Sequence, residues 1–171
     1  MSEPEMVFIG LGSNLGDRSG SLRAAIGALE AVGVRSRLRS SVYRADPVEV
    51  LNQGEFLNQV IGCEAARRPE DLLEICSSIE RAMGRVRRRK GGPRVIDLDI
   101  LLQGDLVRND GQLVLPHPRM HLRRFVLLPL AEIAPGVRHP ILKRSVRELL
   151  ERCPDRSRVE RIVAPFGRGR L

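Results

Sequence analysis

The chain has 171 residues, 29 Lys and Arg against 21 Asp and Glu, a formal charge of +8, one Tyr, four Phe and no Trp. A hydrophobic fraction of 42% and this length suit one folded domain, residues 1–171, and argue against wholesale disorder. No apolar run approaches the roughly 20 residues of a membrane span. Met1-Ser2-Glu3-Pro4-Glu5 lacks the basic and apolar regions of a secretory leader, and three scattered cysteines (Cys63, Cys76, Cys153) make neither a disulfide framework nor a zinc knuckle, so a cytoplasmic protein is expected.

Met6 to Leu11 is a short apolar run ended by Gly12-Ser13-Asn14-Leu15-Gly16-Asp17, which predicts a buried strand entering a turn. Leu22, Ile26, Leu29 and Val32 then recur at helical spacing; Asp17 or Ser19 can cap this helix and Gly33 can end it. From Val34 to Tyr43 the period changes to two, with Val34, Leu38 and Val42 on one face and Arg35, Arg37 and Arg39 on the other, predicting one strand with a solvated basic face. Asp46-Pro47 and Asn52-Gln53-Gly54 mark a long loop over residues 44–55, before a strand from Phe56 to Ala65. Pro69 suits the first turn of a helix whose buried stripe is Leu72, Ile75, Cys76, Ile79 and Met83, stopped at Gly84.

An Arg-rich loop follows, then a strand from Val95 to Leu102, and the turn signals Gly104-Asp105 and Asn109-Asp110-Gly111 predict a small hairpin up to Leu115. Phe125 to Ile133 is a short helix despite Pro129, and Ser145 with Glu148 forms a capping-box pattern before Val146, Leu149 and Leu150. The polar tail, residues 154–171, is expected to be loose. The order strand, helix, strand, strand, helix, strand predicts an α+β fold, a ferredoxin-like split βαβ sheet, mostly antiparallel, with helices packed on both faces.

Chemistry concentrates between residues 85 and 99. In Val95-Ile96-Asp97-Leu98-Asp99-Ile100 the strand period points Asp97 and Asp99 to one face while Ile96, Leu98, Ile100 and Leu102 fill the other. Adjacent carboxylates repel unless a cation relieves them, and oxygen donors suit a hard ion such as Mg²⁺. Arg85-Val86-Arg87-Arg88-Arg89-Lys90 and Gly91-Gly92-Pro93-Arg94 place guanidinium forks for phosphate oxygens beside those acids. The net charge alone would also fit a ferredoxin-like RNA-binding module, but such modules need aromatic stacking platforms, which are scarce here, and the acidic strand face would repel phosphate. A D-x-D metal-dependent nucleotidyltransferase shares the metal logic.

Phe8-Ile9-Gly10-Leu11-Gly12-Ser13-Asn14-Leu15-Gly16-Asp17-Arg18, Tyr43-Arg44, Phe56-Leu57-Asn58 and above all Gly92-Pro93-Arg94-Val95-Ile96-Asp97-Leu98-Asp99-Ile100 resemble the 6-hydroxymethyl-7,8-dihydropterin pyrophosphokinase family of folate biosynthesis. The resemblance runs on through Val114-Leu115-Pro116-His117-Pro118 and Phe125 to Pro135, covering about residues 6–150. It implies transfer of a pyrophosphoryl group from ATP to the hydroxymethyl oxygen of the pterin, with AMP released and no covalent intermediate. By the same resemblance Asp97 and Asp99 hold two Mg²⁺ ions bound with ATP, and Arg85 and Arg94 are catalytic. Glu80, Arg87, Lys90, Ile100 through its backbone, His117 and Arg123 contact the nucleotide, while Val48, Phe56, Asn58 and Phe125 bind the pterin. Two departures stand out. The loop Arg88-Arg89-Lys90-Gly91-Gly92 lacks the Trp that well-known members carry and is one residue shorter, and Gln112 and Val114 replace positions that often contact the nucleotide. The expected partners are ATP and the pterin, with no nucleic acid or membrane, and a monomer is the default.

Overall fold

In a computed structural model of the chain, residues 5–47, 54–64, 66–84 and 93–163 are described. Their order is β1 (Met6–Ser13), α1 (Arg18–Ala31), β2 (Arg35–Arg39), β3 (Val42–Ala45), β4 (Phe56–Glu64), α2 (Pro69–Ala82) and β5 (Asp97–Gln103). A hairpin of β6 (Arg108–Asn109) and β7 (Val114–Leu115) follows, then a 3-10 turn at Met120–Leu122, α3 (Arg124–Ile133), α4 (Val146–Glu151) and β8 (Val159–Val163). The main sheet runs β5-β1-β4-β3-β8, with β2 also paired to β4, and all its pairings are antiparallel. This is the expected split βαβ arrangement, extended by β8.

The period of two on the central strands builds a core on each face. Val7, Ile9, Leu11, Ile61, Leu98 and Ile100 pack under α1 and α2 with Leu22, Leu29, Leu72 and Cys76. Phe8, Val60, Leu101 and Leu102 pack under α3 and α4 with Val126, Leu127, Leu130, Val146 and Leu149. The helix ends follow the sequence signals. The Asp17 side chain accepts from Gly20 N–H at 3.0 Å, and Gly33 takes the left-handed conformation, φ 87°, that closes α1. Ser145 and Glu148 complete a reciprocal capping box.

Four local expectations are corrected. Val32 is exposed, because it lies past the last turn of α1 as its C-cap. The strand expected over 34–43 is broken at Ser40 and Ser41: the Ser40 hydroxyl accepts from Val60 N–H at 2.9 Å and donates to Ser41 O at 2.7 Å, and the Ser41 hydroxyl donates to Glu132 at 2.6 Å. Serine side chains take over ladder bonds there, which a hydrophobic period cannot reveal. Leu102 faces α3 rather than joining Ile100, since a bulge at Leu101 shifts the β1–β5 register by one residue. The tail expected to be loose contributes β8, paired with β3.

Candidate active site

On the α3 side of β1 the residues shrink from Phe8 to Gly10 and Gly12, and α3 and α4 cover only the Phe8 end. The uncovered end is an open cleft of about 880 Å³, including the space at its mouth. Its floor is the sheet itself. A Cβ at Gly12 would stand 3.2 Å from Asn58 Oδ1, so glycine lets the amide lie close over β1. Arg94, Asp97, Asp99, Phe56, Asn58, Arg123 and Phe125, seven of the residues singled out in the sequence, all line this cleft.

β5 is an edge strand, and its open side is covered piecewise. Glu80, only 8% exposed, reaches from α2 and accepts the Leu98 N–H at 2.7 Å. The His117 N–H donates to Leu101 O at 2.9 Å. These bonds satisfy strand groups that would otherwise be unpaired and hold the acids in register. Glu80 is therefore inside the structure, while Arg81 beside it pairs with Glu74 on the surface at 2.9 Å. Ile100 turns its buried side chain toward α1 and α2, leaving only backbone for any ligand. Asn14 was quoted in the sequence only as part of a turn. Its side chain accepts from Arg94 N–H at 2.7 Å and its own N–H donates to Arg94 O at 3.1 Å, so it clamps the residue that opens the approach to β5. The Asx-turn propensity after a strand was the available signal.

The electrostatics differ across the cleft. Arg94 Nη1 meets Asp97 Oδ2 at 2.8 Å. Burial and the neighbouring Asp97 charge push the Asp99 carboxyl up to about 7, with Arg123 and Arg94 opposing. The Arg123 guanidinium lies over the Phe125 ring, 5.6 Å from its centroid. His117 is pulled down to about 4 by burial and by Arg123 and Arg119, and its Nδ1 accepts from Arg119 N–H at 3.2 Å, which leaves the proton on Nε2 as a donor. On the aromatic side, Asn58 Nδ2 is buried without a hydrogen-bond partner among the described residues. A buried donor left unmade costs about 1 to 3 kcal/mol, so a ligand with an acceptor edge would relieve it.

Among the described residues no three His, Cys, Asp or Glu side chains converge as a closed metal cage. Two crowded carboxylates with hard oxygen donors nonetheless fit a divalent cation that completes its shell with ligand phosphates and water. Val48, Arg85, Arg87 and Lys90, with Arg88 and Arg89 and the shortened loop, lie outside the described residues.

Such a cleft suits phosphoryl-type transfer to a flat heteroaromatic acceptor. Residues 8–135 match the family model for 7,8-dihydro-6-hydroxymethylpterin-pyrophosphokinase (HPPK), and the chain belongs to that family. It is 45% identical over 156 residues to the 2-amino-4-hydroxy-6-hydroxymethyldihydropteridine pyrophosphokinase of Methylorubrum extorquens, covering 91% of this chain and 97% of the relative. The Bacillus subtilis protein of the same name is 44% identical over 133 residues, covering 77% of this chain and 80% of that one. The fold is shared with the crystal structure of Plasmodium falciparum HPPK-DHPS wild type with pteroate, TM-score 0.73 at 14% identity; the match covers 88% of this chain and 44% of that longer one.

Proposed function

We propose that this cleft performs the family reaction with the residues it gathers. The chain is an enzyme of folate biosynthesis that transfers the pyrophosphoryl group of ATP to the hydroxymethyl group of 6-hydroxymethyl-7,8-dihydropterin, giving AMP and the pterin diphosphate. The observation that carries the residue assignment is that the crowded acid pair and the unpartnered Asn58 amide open into one space.

Asp97 and Asp99 hold Mg²⁺, as two ions bound with ATP. Bound there, the ions would neutralise the triphosphate and act as Lewis acids. Arg94 and Arg123 bring guanidinium donors to the phosphate oxygens, and the His117 Nε2–H adds a neutral donor. Phe56 and Phe125 take the faces of the pterin, while Asn58 reads its edge by donating through Nδ2 and accepting through Oδ1. Glu80 and Asn14 work from behind, holding β5 and Arg94. Ile100 offers backbone to the adenine, Arg85 keeps the catalytic role implied by the family resemblance, and Arg87 and Lys90 keep the nucleotide role and Val48 the pterin role that it implies. Transfer of this kind depends on positioning and charge stabilisation, so no protein nucleophile is assigned.

With ATP as donor we place the enzyme in the cytoplasm, as a monomer without nucleic-acid or membrane partners. An RNA-binding role would require aromatics where β5 presents carboxylates. The test is incubation with ATP, Mg²⁺ and the hydroxymethyldihydropterin. AMP and the pterin diphosphate are expected, and ADP alone or no nucleotide turnover would overturn the assignment. Light scattering should return the mass of a single chain.

A further inference from the structure

The segment after α4 is attached to two elements that shape the cleft. α3 begins there: Arg123 is its N-cap, and Phe125 and Val126 in its first turn line the cleft. A first helical turn has backbone N–H groups without intrahelical acceptors, and the Arg123 side chain makes no capping bond. Asp155, 31 residues further along, supplies the acceptor instead, its Oδ2 taking the Arg124 N–H at 2.9 Å. The carboxylate is braced in turn, since its Oδ1 accepts from Ser157 N–H at 2.9 Å. Burial alone would raise its pKa, but the bonds from Ser157 and Arg124 outweigh that and hold it below the usual carboxylate value.

The flanks of Asp155 are fixed as well. Cys153 is buried in the core under α3 and α4. Beyond it β8 pairs with β3, Val159 opposite Ala45, and Glu160 meets Arg44 at 2.9 Å. Ala45, with Asp46 and Pro47 after it, also lines the cleft. Cys153, Asp155, Ser157 and β8 themselves lie outside residues 8–135, the span that matches the family model.

We propose that Asp155 is a positioning residue for the reaction: by capping α3 from outside the helix, it sets where Arg123 and Phe125 stand. An anion at a helix N-terminus is favourable both as a hydrogen-bond acceptor and against the helix dipole. Without it the Arg124 N–H is left unpaired and the first turn can fray, carrying a phosphate-binding guanidinium and a pterin-stacking ring out of place together. This inference rests on the pyrophosphokinase assignment above.

The test compares Asp155→Ala, Asp155→Asn and Glu160→Ala in the full chain, with circular dichroism to confirm folding. Two quantities are read: amide exchange at residues 124–127 relative to the rest of α3, and kcat and KM for each substrate. Asp155→Ala should speed exchange in that turn and lower kcat/KM for the pterin, each roughly tenfold. Asp155→Asn, whose side-chain oxygen still accepts one N–H, should recover most of both. Glu160→Ala breaks the ion pair to Arg44 but not the cap, and should change neither. Unchanged exchange in Asp155→Ala overturns the proposal, and so does faster exchange with unaltered kcat and KM, which would leave only a helix cap. If Asp155→Ala does not fold, Asp155→Asn decides by a smaller change in the same two readouts, and no change in either overturns the proposal. A wild-type chain that releases no AMP would instead sink the pyrophosphokinase assignment, while exchange would still tell whether Asp155 holds the turn.

Discussion

Along β1, Val7, Ile9 and Leu11 enter the core under α1 and α2, while Phe8, Gly10 and Gly12 face α3 and the cleft. β5 repeats the division, with Leu98 and Ile100 on the first side and Asp97 and Asp99 on the second. The α1/α2 face is apolar and closed along these strands. The other face is roofed by α3 and α4 only as far as Phe8, Val60 and Leu101, and beyond them it turns glycines, a buried amide and two acids toward the cleft. One backbone therefore does two jobs with alternate residues. The closed face carries stability through burial, and the open face tolerates repulsion and an unmade hydrogen bond that a ligand would relieve. The cleft is built by side chains becoming smaller along a strand, so it sits on rigid elements.

That division can be broken most directly at the acids. Asp97→Ala or Asp99→Ala should lower AMP formation by roughly 10³-fold, on the scale of removing a preorganised charge-stabilising group, with the far-UV circular dichroism spectrum retained. Loss of the spectrum would mean that the pair serves the fold, and the two faces would not be distinct. The closed face should answer in the opposite way. Leu29→Ala, at a side chain fully buried between α1 and the sheet, should cost about 2 to 5 kcal/mol in denaturant unfolding. At temperatures where this variant stays folded, both KM values should match the wild type. A smaller effect is expected at Asn58→Ala, which should raise KM for the pterin roughly tenfold, as loss of a buried donor does, and leave KM for ATP alone. Gly12→Ala should do the same more weakly, because its Cβ would press on Asn58 Oδ1 from 3.2 Å. Equal effects on both substrates would show that the slot does not belong to the pterin.

Much of the open face was legible in the sequence, because a period of two needs only neighbours. It put Asp97 and Asp99 together and set Phe56 beside Asn58. That these two sets share a cleft with Phe125 rested on the family resemblance, since periodicity says nothing about which strands adjoin. The missed features have distant partners or no period. Ser41 bonds Glu132, 91 residues away, and breaks a strand that looked continuous. Arg44 meets Glu160 across 116 residues, where β8 pairs with β3 and joins the polar tail to the sheet. The bulge at Leu101 is invisible in an apolar run where either neighbour could face inward. Glu80 was expected at the nucleotide from the family resemblance, and only the edge position of β5 shows why its carboxylate is buried against the Leu98 N–H.

The smallest expected effect concerns pH and two histidines on the roofed side and rim of the molecule, His117 at the β5 edge and His139 beside α4. His139 is 5% exposed, its ring edge-on to His121 with centroids 6.1 Å apart, and its Nδ1 accepts N–H bonds from Ile141 and Leu142 at 3.2 and 3.1 Å. Burial first, and then the neighbouring His121, lower its pKa from the ordinary 6.5. A proton at Nδ1 would displace both bonds. The unfolded chain thus takes up this proton more readily than the folded one, so the contribution of His139 to stability is complete above pH 6.5 and is lost as pH falls below it. His117, lowered to about 4, acts in the same direction, whereas Asp99, raised to about 7, gains stability on protonation in the ligand-free chain and offsets part of the loss. His139→Asn keeps an acceptor for the two N–H groups and removes the titration. The variant should therefore lose less Tm than the wild type between pH 7 and pH 5, narrowing the gap between them. Parallel Tm curves over that range would mean that His139 opens to solvent and titrates as freely as in the unfolded chain.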